Sequence, residues 1–346
     1  MALIDIFNDD AFSLIELTAA LRDVEYQPSQ LGSMGIFTSR SIRTDAAAIE
    51  RVADKLALIT TTQRGAPPTP NKQQERRNIR NFNTVRLATG DHITASEVAN
   101  IRAFGSETEL LQVQEETMRR MTQMRNNLEL TKEHMRLGAI TGIVLDADSS
   151  QLYNWFTEWG IAANAELVVN FSTLADGQFR KLCSKIIRQT ARAAQGAWIQ
   201  GRSTVAAIVG DEFWDSMIAN VEVRQTYLNW TAAADLRGAL GAPWEVFSWG
   251  GIDWINYRGT DDQPGGSAKV GVDPNKAKFF PRNAPEAFLE VHGPGEFFDT
   301  INLPGQDYYA LTIPDEKRNA FVDVELYSYP LHVVTRPKML NSARLA

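Results

Sequence analysis

A single cysteine, Cys183, stands in 346 residues, so no disulfide can close within the chain and no cysteine cluster can hold a metal. Its run, FRKLCSKII, has a helical apolar rhythm, which marks the thiol as a small buried hydrophobe rather than a nucleophile. Histidine is scarce too: His92, His134, His292 and His332 fall far apart, in different predicted elements. His134 reads as solvent-facing on a helix, and His292, ahead of Gly-Pro-Gly, as a turn residue. No apolar run of about 18 residues is present, so no segment reads as a spanning helix. The start, MALIDIFNDD, is acidic and has no basic n-region before an apolar stretch, so it does not read as a secretory signal. A reducing cytoplasm is the expected place of synthesis and folding.

The signatures of catalysis are missing as well. There is no phosphate-cradling Gly-Lys-Ser/Thr loop, no dinucleotide fingerprint after a strand, no HExxH and no nucleophile elbow. Asp146 and Asp148 are spaced like cation ligands, but their loop lacks the glycine and distal glutamate of a calcium loop, and turn chemistry explains them better. Trp244, Trp249 and Trp254 could stack a sugar or a base, yet aromatics spaced along a strand read first as core and interface. The expectation is a protein that is not an enzyme, with no catalytic, cofactor-binding or metal-ligating residues.

What is present is a normal globular composition, 44% apolar and 22% charged, in a chain long enough for two lobes with extensions. Acids outnumber bases, 42 to 35, for a net charge of −7, so no global positive field draws the chain to nucleic acid or anionic lipid. Residues 1–48 read as an arm: FSLIELTAALRDV can form a short amphipathic helix presenting Leu14, Leu17, Leu21 and Val24, and Pro28, Gly32 and Gly35 then break regularity. LALITTT, the tip QRGAPPTPNK and the stretch 73–87 predict a long projecting hairpin. Arg64 lies in its tip, and Arg76, Arg77, Arg80 and Arg86 on its return limb against the single acid Glu75. A solvated face, a basic finger laid on the acidic surface of another copy, and a nucleic-acid contact are all open readings of that limb.

From Thr94 a helix is signalled, with Thr94 or Ser96 as cap and Glu97 in the first turn. Its main stretch, Ser106 to Leu137, carries a thin stripe of Leu110, Val113, Thr117, Met121, Met124, Leu128, Thr131 and Met135. No sustained Leu/Ile seam supports a coiled coil, and a spine lying across a sheet fits better. Gly138 is expected to end it, with AITGIVLDADSSQLYNWF as a hairpin. A second amphipathic helix is expected at 174–194, with a basic outer face of Arg180, Lys181, Lys185, Arg188 and Arg192. VAAIVG predicts a buried strand, DEFWDSMIANVEVRQTYL one helix, and WEVFSWGGIDWINYRG a hairpin turning at Gly250-Gly251. NAFVDVELYSYPLHVVTRP reads as one long strand with Pro330 at an edge or bulge.

In their order and spacing, ELTAALRDVEYQPSQLGSMGIF, the RGAPPTP tip, HITASEVANIRAFG, LGAITGIVLDAD, GGIDWINYRG and DVELYSYPLHVVTRPKML resemble the major capsid proteins of lambda-like tailed phages, the capsid protein E family. The resemblance covers essentially the whole chain. It implies an α+β fold of the Hong Kong 97 type and a head protein that self-assembles into an icosahedral shell around double-stranded DNA. It implies an N-terminal arm (1–48), an extended β-hairpin loop (49–90), a peripheral domain with a spine helix (91–170 with 320–346) and an axial domain (171–319), with the loop Gly259–Lys276 toward the symmetry axes. The partners implied are further copies in pentamers and hexamers, a separate scaffolding protein, a portal protein, a decoration protein and the enclosed DNA, held without sequence-specific contacts; no membrane is implied. On that reading Arg64, Arg76, Arg77, Arg80, Arg86, Leu14 and Leu17 are the candidate inter-subunit contacts. A cellular nanocompartment shell of the same fold is the alternative.

Overall fold

The computed structural model describes residues 30–52, 77–94, 97, 109–225, 246–257, 271–315, 317 and 320–346. The first half of the chain contributes α1 (Gln30–Ser33), β1 (Thr38–Ser41), β2 (Ala46–Val52), β3 (Arg77–Asn83), β4 (Leu87–Thr94), the long α2 (Glu109–Thr141), β5 (Ile143–Leu145), β6 (Gln151–Asn154), α3 (Trp155–Glu158) and β7 (Leu167–Val169). The second half contributes α4 (Gln178–Ala194), β8 (Thr204–Val209), α5 (Asp211–Ala219), β9 (Val246–Trp249), β10 (Ile252–Asn256), β11 (Lys276–Arg282) and β12 (Phe288–His292). It closes with β13 (Tyr309–Pro314), β14 (Phe321–Ser328), β15 (Pro330–Val334) and β16 (Asn341–Leu345).

Two apolar cores form on opposite faces of one strand. In β8 the side chains of Val205, Ala207 and Val209 enter one core and those of Ala206 and Ile208 the other, the alternation that a strand imposes. β8 lies inside a six-stranded sheet of order β7-β16-β11-β8-β10-β9. α4 and α5 cover one face of it through Phe179, Cys183, Ile186, Phe213 and Met217, and the rings of Phe179 and Trp249 stack 4.6 Å apart. Trp249 and Trp254 are therefore core residues. Gly250 and Gly251 both take positive φ, 64° and 80°, which gives the two-residue β9–β10 turn its left-handed corner. Burial pushes the Cys183 thiol up to about 12, so it stays protonated.

The other core is built on two smaller sheets, β13-β14-β4 and β1-β12-β15, with α2 laid against β4, β14 and β15. Thr117, Met121, Met124, Leu128 and Met135 of the expected stripe are buried, and Thr131 partly so. Where β4 ends, a reciprocal capping box forms: Glu97 Oε2 accepts from the Thr94 N–H at 3.0 Å, and Thr94 Oγ1 accepts from the Glu97 N–H at 3.4 Å.

Several sequence expectations need correction. α2 does not stop at Gly138; it runs to Thr141 and ends at Gly142, whose φ is +88°. Gly138 is required for a different reason: a Cβ there would lie 2.7 Å from the Ile143 carbonyl oxygen, where the β5–β6 hairpin folds back over the helix. The predicted single helix after VAAIVG breaks at Asn220, whose backbone turns extended. The long C-terminal strand is two strands in two sheets, β14 and β15, and Pro330 opens the second, where the missing N–H is tolerated. His292 is no turn residue but the buried end of β12, and His134 is half-buried rather than solvent-facing. Asp146 and Asp148 do serve the turn, accepting from the N–H groups of Ala147 and Ser150 at 2.7 and 2.8 Å. The six-stranded sheet takes in β7 and β16, near residue 168 and at the end of the chain, while β12 and β13 lie in the smaller sheets.

Replacing Gly138 by Val is expected to lower unfolding free energy by about 1–3 kcal/mol through overpacking against the Ile143 backbone, measured by denaturant titration.

Candidate assembly surfaces and the charged anchor beneath them

The residues that hold the arm in place are charged and buried. Along one side of α2, Glu129, Lys132, Glu133 and Arg136 all point into the protein. Glu133 accepts from the N–H of Leu31 at 2.7 Å and of Gly32 at 3.3 Å, so it fixes α1, where the described part of the arm begins. It also accepts the Tyr257 hydroxyl at 3.3 Å, from the residue that follows β10. Arg136 lies 2.9 Å from Glu290, 3.3 Å from Glu129 and 3.7 Å from Glu133. Lys132 reaches Asp307 at 2.5 Å and Glu129 at 3.5 Å, and its ammonium sits 3.9 Å from the centre of the Tyr308 ring. His332 stands 3.4 Å from Glu290, and His292 stands 3.5 Å from Asp307 and 3.0 Å from the Ser39 hydroxyl of β1.

These charges persist because each meets its opposite. Burial raises the Glu290 carboxyl, but the flanking His332 and Arg136 outweigh burial and hold it well below the usual carboxylate range. Asp307 is likewise lowered, with burial opposed by Lys132 and His292. Burial lowers His292 despite its acidic neighbours. Glu290, His292 and Asp307 bring ligand atoms within 4.8 Å of one another, as a metal site would. The ammonium of Lys132 and the guanidinium of Arg136 already supply the positive charge there, so the cluster is an internal salt network.

The network sets where the arm and the hairpin leave the body. β1 runs parallel to β12, and the Ile42 N–H donates to the His292 carbonyl at 2.9 Å. β2 and β3 then pair antiparallel, Ala46 opposite Asn83 through Val52 opposite Arg77. Their base is rooted in aromatic packing: Phe82 is buried against Tyr153, Trp155 and Trp159, and Tyr153 donates to the Asn83 carbonyl at 2.8 Å. Two residues outward on the same face, Arg80 and its cross-strand partner Ile49 are only partly buried. The hairpin is thus held at its root and leaves its own core as it extends.

Of the candidate contact residues, Leu14, Leu17, Arg64 and Arg76 lie outside the described residues. Arg77 is the first residue of β3, opposite Val52. Arg80 faces Glu158 of α3 at 3.8 Å and stays about a third exposed. Arg86, between β3 and β4, pairs with Glu296 at 2.5 Å, half-exposed, with its guanidinium 5.0 Å from the centre of the Tyr327 ring. The buried charges of α2 escaped the sequence reading, because nothing in their spacing distinguishes them from solvated i,i+3 and i,i+4 pairs. That Lys132 lies one turn beyond Leu128 and one turn before Met135, on the apolar stripe itself, was the one available signal.

Arg136→Met is expected to destabilise the fold by about 3–5 kcal/mol, because Glu129, Glu133 and Glu290 would face one another with that charge removed; thermal or chemical denaturation measures it. His292, Glu290 and Asp307 all titrate lower in the folded chain than in the unfolded one. The unfolded chain therefore binds more protons, and these groups contribute full stability only above their unfolded values. Stability should fall as pH drops below about 6.5, the ordinary histidine value, and again below about 4.5, the ordinary glutamate value. Denaturant titrations across pH 4–8 check this, and His292→Asn should flatten the upper step.

Residues 13–345 match the family model described as Phage major capsid protein E. The major capsid protein of Pseudomonas phage KPP10 is 24% identical over 90% of this chain and 91% of its own length. That of Salmonella phage Felix O1 is 21% identical over 96% of both chains. Among solved structures, a chain described as a prophage capsid protein from E. coli CFT073 superposes with a TM-score of 0.57 at 13% identity, covering 96% of this chain and 99% of its own. The mature capsid of bacteriophage PhiM1 gives 0.52 at 10% identity over 93% of this chain and 88% of its own.

Proposed function

Since the chain belongs to the phage major capsid protein E family and so forms the icosahedral shell of a phage head, we propose how its parts divide that work. The body built around α2 is the rigid mount, and the arm and the β2–β3 hairpin are the parts that reach neighbouring copies. The observation that carries this reading is the burial gradient along the inner face of the hairpin, from Phe82 and Ala47 in the core to Arg80 and Ile49, which are only partly buried. A two-stranded ribbon gains too little from its own contacts to be stable in isolation, so its outer part needs a surface to lie on. Arg64, Arg76, Arg77, Arg80 and Arg86 would meet acidic surface on the next copy, which a chain of net charge −7 can supply. Leu14 and Leu17 would dock the arm. Arg80 and Arg86 already have acids of their own chain, so their part in a contact would be to share those pairs with a neighbour.

The expected lobes are a peripheral one carrying the spine helix (91–170 with 320–346) and an axial one (171–319), with copies gathered into pentamers and hexamers. Contacts of this kind are broad and individually modest, which lets misplaced copies leave before closure. A separate scaffolding protein, a portal and a decoration protein are the expected partners, double-stranded DNA is enclosed without sequence-specific contacts, and assembly takes place in the host bacterial cytoplasm.

Electron microscopy of the overexpressed, purified chain should show closed shells or capsomers; a dispersed monomer under all conditions would count against self-assembly without help. Reversing Arg76, Arg77 and Arg80 to Glu should leave the subunit folded by circular dichroism and stop shell formation. Normal particles from that variant would remove the hairpin's electrostatic role.

A further inference from the structure

The outer layer of the six-stranded sheet holds two helices of opposite charge, neither of which finds its counterpart among the described residues. α4 carries Arg180, Lys181, Lys185, Arg188 and Arg192 and no acid. All five are exposed, and among the described residues none is in an ion pair, although the protein as a whole is acidic. α5 carries Asp211, Glu212 and Asp215 and no base, and these three are exposed and unpaired as well. Both helices bury their apolar sides in the same core, so the two charged faces belong to one surface of the lobe.

The apolar residues around them are matched in the same sense. Beside α4 a groove of about 250 Å³ is lined by Val168, Leu174 and Leu182, with Lys181 and Lys185 at its rim. Val168 is 56% exposed there. On α5, Ile218 lies one turn beyond Asp215, on the same side of the helix, and is 41% exposed; Val221, just past the break, is 56% exposed. One end of the layer is therefore a cationic groove with an apolar floor, and the other an acidic ridge with an apolar crest.

We propose that this layer is a copy-to-copy interface: the acidic ridge of α5 (Glu212, Asp215, Ile218, Val221) seats in the basic groove of α4 (Lys181, Lys185, Leu182, Val168) on the next copy. The proposal rests on the shell-forming reading above and assigns a further surface to it, separate from the arm and the hairpin. Two different patches that complement each other make a head-to-tail contact, and such contacts close into rings when the rotation permits. Opposite charges on the two patches also orient the approach and disfavour like-to-like docking.

A charge-swap series tests this. The basic-side set is Lys181→Glu, Lys185→Glu and Arg188→Glu; the acidic-side set is Glu212→Lys and Asp215→Lys, which leaves Asp211 in place at the helix N-terminus. In the full chain each set alone should cut the yield of sedimenting shells at least about tenfold while the subunit stays folded, and combining the two should restore shells. If either set alone assembles as well as the unaltered chain, or if both fold and block assembly yet the combination does not rescue it, the proposal fails. If a reversal set does not fold, Lys181→Gln with Lys185→Gln and Glu212→Gln with Asp215→Asn replace it; normal assembly of both neutral variants at raised salt as well as low salt would overturn the interface. A basic-side variant that forms normal shells but loses co-purifying nucleic acid would also overturn it, in favour of a phosphate-facing surface. Failure of the unaltered chain to form any shell or capsomer counts instead against the shell-forming reading, so the two failures can be told apart.

Discussion

The guanidinium of Arg136 is the point on which the rest of the structure depends. It lies within ion-pair distance of Glu129 and Glu133 on its own helix and of Glu290 on β12, in a region from which water is largely excluded. A buried charge of this kind adds little net stability over a well-packed apolar residue, but it fixes geometry, because any other arrangement strands a charge. Glu133, held by Arg136, in turn accepts the N–H groups of Leu31 and Gly32 and the hydroxyl of Tyr257. One residue of the helix thereby aligns the root of the arm and the end of a strand in the six-stranded sheet.

That alignment matters because the elements it joins come from distant parts of the chain. β1 pairs with β12, β4 with β14, and β16, the last strand, lies between β7 and β11. Most of these pairings are non-local, so the sheets can close only after nearly the whole chain has been made. A salt network that accepts one arrangement suits such a topology. It also lets the hairpin and the arm extend from a body whose orientation does not drift.

Much of this fold was legible in the sequence. The stripe of Met121, Met124, Leu128 and Met135, the Gly250-Gly251 turn, the Thr94–Glu97 capping box and the VAAIVG strand all follow from local spacing, and local spacing is what secondary structure obeys. The misplaced stop at Gly138 shows the limit: a glycine near a helix end is ambiguous until the element that crosses it is known. The two-sheet path of residues 321–334 was hidden for a related reason. Alternation continues through Tyr329 and Pro330, and only the partners of each half reveal that the chain changes sheets. As for the candidate contacts, residue type alone drew attention to the arginines, and it could not tell Arg86, paired with Glu296, from an arginine that faces outward.

By itself the sequence determined the helices, most of the strands, the excess of acid and, through the order of its segments, the family. These rest on residue type and short-range periodicity, which need no knowledge of the third dimension. Tertiary structure alone decided which charges are buried: Lys132, Glu133 and Arg136 are as polar as their solvated neighbours along α2, and only the strands packed on that side of the helix make them an anchor. It also decided that α4 and α5, 17 residues of helix and nine, lie on one core with their opposite charges turned outward. The physical reason is that burial and juxtaposition are properties of pairs of segments, whereas a sequence read along its length describes one segment at a time.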